Sequence, residues 1–330
     1  TEAELAVQTA KSAFKTWSKV SADTRADLLD KLANEILKRR YELCATEVFE
    51  EGKPWIEADG DITEAVDFCR YYARHMRELA VKQRAGHVMG ELSLYHYQPR
   101  GICLVIAPWN FPLAILTGQV VSALVTGNTV VMKPAEQSSV IAAKLMEMIL
   151  DVGFPKDVVS FLPGIGEEVG PYLVEHKDID IIAFTGSKAV GLDILKKASV
   201  VLPGQKNVKR CIIEMGGKNA IIVDSDADLD EAVAGVIYSA FGFQGQKCSA
   251  CSRAIVLEEN YDRFIARLCE AAGSIKVLPP ENPNAYLGPV IDKDAYDRIM
   301  STLKSAGQES RMVFQAQVPS QGYFVPPTIF

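Results

Sequence analysis

Several features are missing from this chain, and each absence excludes something. No run of about 18 apolar residues occurs, so no membrane-spanning helix is expected. The start, Thr1-Glu-Ala-Glu-Leu, has neither a basic stretch nor an apolar core and does not read as a secretory leader. It also lacks an initiator Met. Positive charge is in deficit: 35 Lys and Arg stand against 42 Asp and Glu, a net charge of −7. With a pI near 5.3, the chain is not expected to bind nucleic acid or an anionic membrane, although a local basic pocket for a small anion is compatible with it. Cysteine is sparse, with seven residues at 44, 69, 103, 211, 248, 251 and 269. An odd, scattered set cannot pair completely, and it fits reduced thiols in a cytoplasmic protein. The four histidines (75, 87, 96 and 176) have no metal-ligand spacing, and no metal is expected. There is no internal repeat, no low-complexity tract, and no GxGxxG fingerprint after the first strand.

What remains is ordinary globular material. The 330 residues are 48% hydrophobic and 23% charged, enough for a large core in two domains or in one large domain with an appendage. The first eighty residues read as helices. Leu28, Leu29, Leu32, Ile36 and Leu37 recur at helical spacing behind a Ser21/Asp23 cap, and Ala65, Phe68, Cys69 and Tyr72 repeat the pattern. Around 87–98 the period becomes two, which suggests a short protruding hairpin. From residue 101 apolar runs alternate with helices: Ile102 to Ala107, Thr129 to Met132, Val158 to Leu162 and Ile179 to Phe184. Solid apolar strands alternating with helices predict an α/β fold, a Rossmann-like parallel sheet covered on both faces. Ligands of such sheets bind beyond the carboxyl ends of the strands, where Asn110, Lys133, Gly164 and Ser187 lie. Residues 199–210 read as a polar insertion. A second α/β unit is expected to start at Ala220 to Val223, with a helix from about Asp228.

Four local patterns can carry chemistry, and each has a plain alternative. Gly186 to Gly191 opens a helix and could bind a phosphate with free N–H groups, or be a tight turn. Lys133 could donate to a ribose or phosphate, or be a surface charge. Glu136 could accept from ribose hydroxyls and would repel a 2′-phosphate, favouring NAD over NADP. Cys248-x-x-Cys251 could be a zinc or a redox pair, but zinc would need a second pair and a redox pair would be expected early, beside the first strand; the other readings are an inert thiol or a nucleophile whose ionisation Lys247 would assist. Glu214 precedes Gly216-Gly217 and reads as a carboxylate presented on a tight loop, or as a solvated turn residue.

Five motifs in this order resemble the aldehyde dehydrogenase superfamily: Pro108-Trp109-Asn110-Phe111-Pro112, Lys133-Pro134-Ala135-Glu136, Phe184-Thr185-Gly186-Ser187, Glu214-Met215-Gly216-Gly217-Lys218 and Gly245-Gln246-Lys247-Cys248. Gly245 through Arg253, with the insertion ending Val208-Lys209-Arg210, is most similar to the 1-pyrroline-5-carboxylate dehydrogenase branch, which oxidises L-glutamate γ-semialdehyde to glutamate in proline breakdown. The resemblance implies an NAD-dependent oxidoreductase in which Cys248 is the nucleophile, Asn110 helps to hold the oxyanion and Glu214 activates water. It implies that Ile106, Trp109, Lys133, Glu136, Gly166, Ser187 and Gly191 surround NAD. Lys247 and Ser249 would contact the carboxylate end of a small-molecule aldehyde substrate. It divides the chain into an NAD-binding domain (1–80 and 100–214), an oligomerisation hairpin (81–99) that implies a homo-oligomer, and a catalytic domain (215–330). Members of the family are longer, and a Glu-Ile-Phe-Gly-Pro segment of theirs is not found here. Both ends are therefore expected to be cuts, the catalytic domain incomplete, and a sheet edge exposed.

Overall fold

The computed structural model describes residues 1–330. Four helices open the chain: α1 (Glu2–Trp17), α2 (Ala22–Lys38), α3 (Arg40–Glu51) and α4 (Trp55–Leu79). Ser21 caps α2, its side-chain oxygen accepting from the Thr24 N–H, which satisfies one of the free donors at the helix start. A small antiparallel ribbon follows, β1 (Gln83–Arg84) against β2 (Leu94–Tyr95). Its pairs lie nearer the ends of the 81–99 segment than the period alone suggests. Its tip carries Met89 fully in solvent, with Val88 and Leu92 also exposed.

The regular part of the first unit runs β3 (Ile102–Ile106), α5 (Ala114–Val125), β4 (Thr129–Lys133), α6 (Ser139–Asp151), β5 (Val159–Phe161), α7 (Gly166–Glu175), β6 (Ile179–Gly186), α8 (Lys188–Ala198) and β7 (Arg210–Met215). The five strands form one parallel sheet in the order β5-β4-β3-β6-β7. All of β4 and all but the last residue of β3 are buried, the signature of a sheet covered on both sides. Ala6, Val7 and Ala10 of α1 pack with Leu104, Val131, Ile182, Leu173 and Ile194 in one cluster.

Strand β7 departs from the sequence reading, which placed Glu214 on a loop after a polar insertion. Arg210–Met215 is instead the edge strand, in register with β6 so that Glu214 lies beside Thr185. Its burial alternates, and Arg210, Ile212 and Glu214 face solvent. An edge strand needs no solid apolar run, so the signal that marked the other four was weak here.

Gly101, just before β3, is a close-approach position. A Cβ there would lie 1.8 Å from Asp180 Oδ2. Asp180 is held in place because its carboxylate accepts from the Ile102 N–H at 3.0 Å and from Asn207 Nδ2 at 2.7 Å. Gly101→Ala is expected to cost about 3 kcal/mol through overpacking and lost hydrogen bonds. A thermal melt would read this as a fall of about 2–4 °C per kcal/mol, and an unchanged Tm would show that Asp180 can retreat.

The chain divides into two compact units: Thr1–Leu43 with Gly60–Met215, and Cys44–Asp59 with Gly216–Phe330. The sequence placed residues 44–59 with the first domain. The structure groups them with the second, and both crossings fall inside helices, so no linker marks them. The second unit holds a two-stranded parallel sheet of β8 (Asn219–Val223) and β9 (Cys251–Val256), with α9 (Leu229–Phe241) between them. Asp228 caps α9, accepting from the N–H groups of Asp230 and Glu231. Then come α10 (Glu258–Gly273), α11 (Lys293–Glu309) and the short pair β10 (Phe314–Gln315) and β11 (Thr328–Ile329). Phe264 and Leu268 of α10 pack with Val223, Leu229, Val233 and Val236. No helix in the chain is long and apolar enough to cross a membrane.

Candidate active site

In the first unit a cavity of about 610 Å³ opens beyond the carboxyl ends of β3, β4 and β6. That location is the usual one for a ligand of a parallel sheet. Its size is within the range of about 300–1,000 Å³ common for small-molecule sites. Ile106, Trp109, Lys133, Glu136, Gly166 and Ser187 all line it, brought together from segments distant in sequence. Lys133 ends β4 and is buried. Its ammonium donates to the Pro134 carbonyl at 3.0 Å and lies 3.6 Å from Glu136 Oε2. Gly166 begins α7, and a Cβ there would sit 3.9 Å from that ammonium. Ile165 supplies no side-chain cap to α7, so a cation and a helix start with its positive dipole end face the same space. By contrast, Ser187 spends its side-chain oxygen capping α8, accepting from the Val190 N–H at 3.3 Å.

These features fit NAD. Ile106, Pro108, Val190 and Ile194 offer apolar surface, the Lys133–Glu136 pair matches hydroxyls, and the helix start suits a phosphate. Gly191, expected around the same cofactor, does not line the cavity. It lies inside α8 against β7, where a Cβ would meet Met215 Sδ at 2.9 Å and Ile213 at 3.0 Å. Its place in the fold is close packing of helix on sheet.

Two residues at this end of the sheet were given no role by the sequence, although Thr185 stands in one of the five motifs. Thr185 lines the cavity, and its Oγ1 accepts from Gln119 Nε2 at 2.9 Å. As the last polar residue before the Gly186 turn, it carried a usable signal. Asp61, buried on α4, accepts from the N–H groups of Leu113 and Ala114 at 3.2 and 3.3 Å and so caps α5, which has no cap of its own. Nothing local could announce that bond, which spans more than fifty positions. It pins the chain just after the Pro108–Pro112 turn that carries Asn110. There the Phe111 N–H donates to Asn110 Oδ1 at 3.1 Å, which makes the Nδ2 end the donor. Glu214 is exposed at the end of β7.

In the second unit Cys248 sits on the turn between α9 and β9 and is the exposed one of the seven cysteines. Cys69 and Cys103 are buried, and burial raises both thiols, Cys103 to about 12. The Cys248 carbonyl accepts from Asn219 Nδ2 at 2.8 Å. Gly217 lies so close that a Cβ would stand 2.7 Å from that carbonyl. The second glycine of the Glu-Met-Gly-Gly-Lys motif thus serves this backbone approach. Lys247, next to the thiol in sequence, has an acidic partner of its own. Its ammonium pairs with Glu57 Oε2 at 2.7 Å and sits 5.2 Å from the Tyr238 ring centre. Ser249 is exposed beside Cys248, whereas Cys251 is buried and donates its thiol to the Arg253 carbonyl.

A model of the aldehyde dehydrogenase family matches residues 1–330. The 1-pyrroline-5-carboxylate dehydrogenase 2 of Bacillus subtilis is 48% identical over 329 residues, covering 99% of this chain and 64% of its own length. Proline utilization A from Bdellovibrio bacteriovorus is 63% identical with a TM-score of 0.98, over 99% of this chain and 34% of that one. A 1-pyrroline-5-carboxylate dehydrogenase from Thermus, solved with bound NAD, is 45% identical with a TM-score of 0.94, over 99% and 64%. The chain thus spans somewhat less than two thirds of the curated relatives it matches.

Proposed function

Because the chain belongs to the aldehyde dehydrogenase family, we propose that the protein oxidises an aldehyde to a carboxylate with NAD, and that the aldehyde is L-glutamate γ-semialdehyde, the hydrolysed open form of 1-pyrroline-5-carboxylate. The observation that carries this reading is Cys248, an exposed thiol on a turn braced by Asn219 and Gly217, in a chain whose other cysteines are wholly or partly buried. In this reading the first unit binds NAD and the second supplies the nucleophile.

As a thiolate, Cys248 attacks the carbonyl carbon, forming a carbon–sulfur bond and moving the carbonyl electrons onto oxygen. The Asn110 Nδ2 group and the Cys248 N–H stabilise that oxyanion. NAD, when bound, supplies the acceptor for the hydride that leaves this carbon. The oxyanion collapses to a thioester on Cys248. Glu214 takes a proton from water, whose oxygen attacks the thioester, and the acid departs with the thiolate restored. Ser249 and Lys247 are assigned to the substrate's carboxylate end, with Lys247 acting from within its pair with Glu57. The names of the B. subtilis and Thermus relatives support the choice of substrate, and that of the proline utilization A relative supports a place in proline catabolism. The apolar tip of the β1–β2 ribbon supports a homo-oligomer, and reduced thiols support a cytoplasmic location.

The test is kcat/KM for NADH production from L-glutamate γ-semialdehyde compared with succinate semialdehyde. A preference for the α-amino aldehyde is expected; a preference for the other would overturn the assignment. Cofactor choice is tested separately at Glu136, whose carboxylate lines the cavity beside Lys133 and would repel a 2′-phosphate. Glu136→Ser is expected to reduce the kcat/KM preference for NAD over NADP about tenfold, equivalent to about 1.4 kcal/mol. An unchanged ratio would remove Glu136 from the discrimination.

A further inference from the structure

Residues 243–245 turn the chain through three successive left-handed conformations just before the exposed thiol: Phe243 at φ 48°, Gln244 at φ 57° and Gly245 at φ 69°. Only the last is glycine, and non-glycine residues resist this region because Cβ crowds the carbonyl. Such a turn persists only when its surroundings hold it, and the strap from residues 47–57 of the same unit does so. Lys53 is fully buried, with its ammonium 3.1 Å from Glu47 Oε2, itself fully buried, and 5.0 Å from the centre of the Phe243 ring. The Phe243 side chain is fully buried. Next along, Gln244 Nε2 donates to the Pro289 carbonyl at 2.6 Å and reaches the Gly52 carbonyl at 3.4 Å. Gln246 Oε1 accepts from the Ile291 N–H at 3.1 Å.

We infer that Lys53 is a positioning residue for Cys248: its buried ammonium, held by Glu47, grips the face of Phe243 and fixes the left-handed turn that presents the thiol. This rests on the reading of Cys248 as the nucleophile. A buried ion pair is seldom the most stable filling for its volume, since matched apolar side chains often do as well. What the ammonium adds is direction, because a cation seeks the face of an aromatic ring and not its edge. The turn then has one allowed placement of Phe243, and Cys248 follows five residues later.

The test is the double variant Glu47→Gln with Lys53→Met, which removes both charges of this pair together. Iodoacetamide labelling of the native protein, read per cysteine by peptide mass spectrometry, reports the geometry at Cys248 independently of turnover. The Cys248 labelling rate is expected to change by about threefold or more while Cys44 and Cys251, the buried cysteines of the same unit, stay protected, and kcat to fall about tenfold with KM for NAD unchanged. Equal rates at Cys248 and an unchanged kcat would overturn the inference. So would a common rise in labelling at Cys44, Cys251 and Cys248, which would mean general loosening of the unit. Should the double variant not fold, Phe243→Leu, which keeps the apolar filling and removes the ring face, must produce the same selective change. Full turnover in Cys248→Ala would instead defeat the reading of the nucleophile, a result these variants do not mimic.

Discussion

Cys248→Ala is expected to abolish aldehyde-dependent NADH formation, with a loss of about 10⁴-fold or more, because on the proposed mechanism no other side chain replaces the thiol that forms the covalent intermediate. The other thiols offer no substitute. Cys69 and Cys103 lie in the core of the first unit, and burial raises both so far that they stay undissociated at neutral pH. NAD affinity, measured by calorimetry, is expected to remain at the wild-type value, because the cavity fitted to the dinucleotide is lined by residues 106–197 of the first unit. Substantial turnover in this variant would refute the nucleophile role, whereas lost NAD binding would point to an unintended structural change.

Glu214→Gln is expected to separate the two halves of the reaction. An amide cannot take a proton from water, so the thioester should form at the normal rate and hydrolyse about 10²–10⁴-fold more slowly. Rapid mixing should show a burst of NADH close to one equivalent per Cys248, followed by a slow steady state. Glu214 is exposed and in register with Thr185, so the change should barely affect folding. A steady-state rate equal to wild type would show that water is activated by another group.

The sequence carried the βα alternation well. Each of β3, β4, β5 and β6 is a short apolar run near the positions that the sequence marked. Burial on both faces forces that composition, so it can be read without knowing which strands pair. The polar residues at the strand ends were legible for the same reason, since a sheet of this kind leaves its carboxyl ends open to a ligand. β7 was not legible, because an edge strand tolerates alternation and charge, as Arg210 and Glu214 show.

Other features depend on bonds between residues far apart. Lys247 reads in isolation as a cation beside a thiol, yet its partner Glu57 stands 190 positions away. Segment 44–59 carries no boundary signal, since its ends lie inside α3 and α4. Gly191 looks like half of a phosphate loop, and only the closeness of Ile213 and Met215 reveals it as a packing glycine.

By itself, then, the order of residues determined the parallel α/β architecture, the chemical types at the strand ends and the motif that contains Cys248, because local periodicity and side-chain chemistry are properties of short stretches. Only the tertiary structure decided which carboxylate meets Lys247, which ammonium lies over Phe243 and which glycine admits the Cys248 carbonyl. Those choices are made by chain closure over long separations, and no short stretch contains the information to make them.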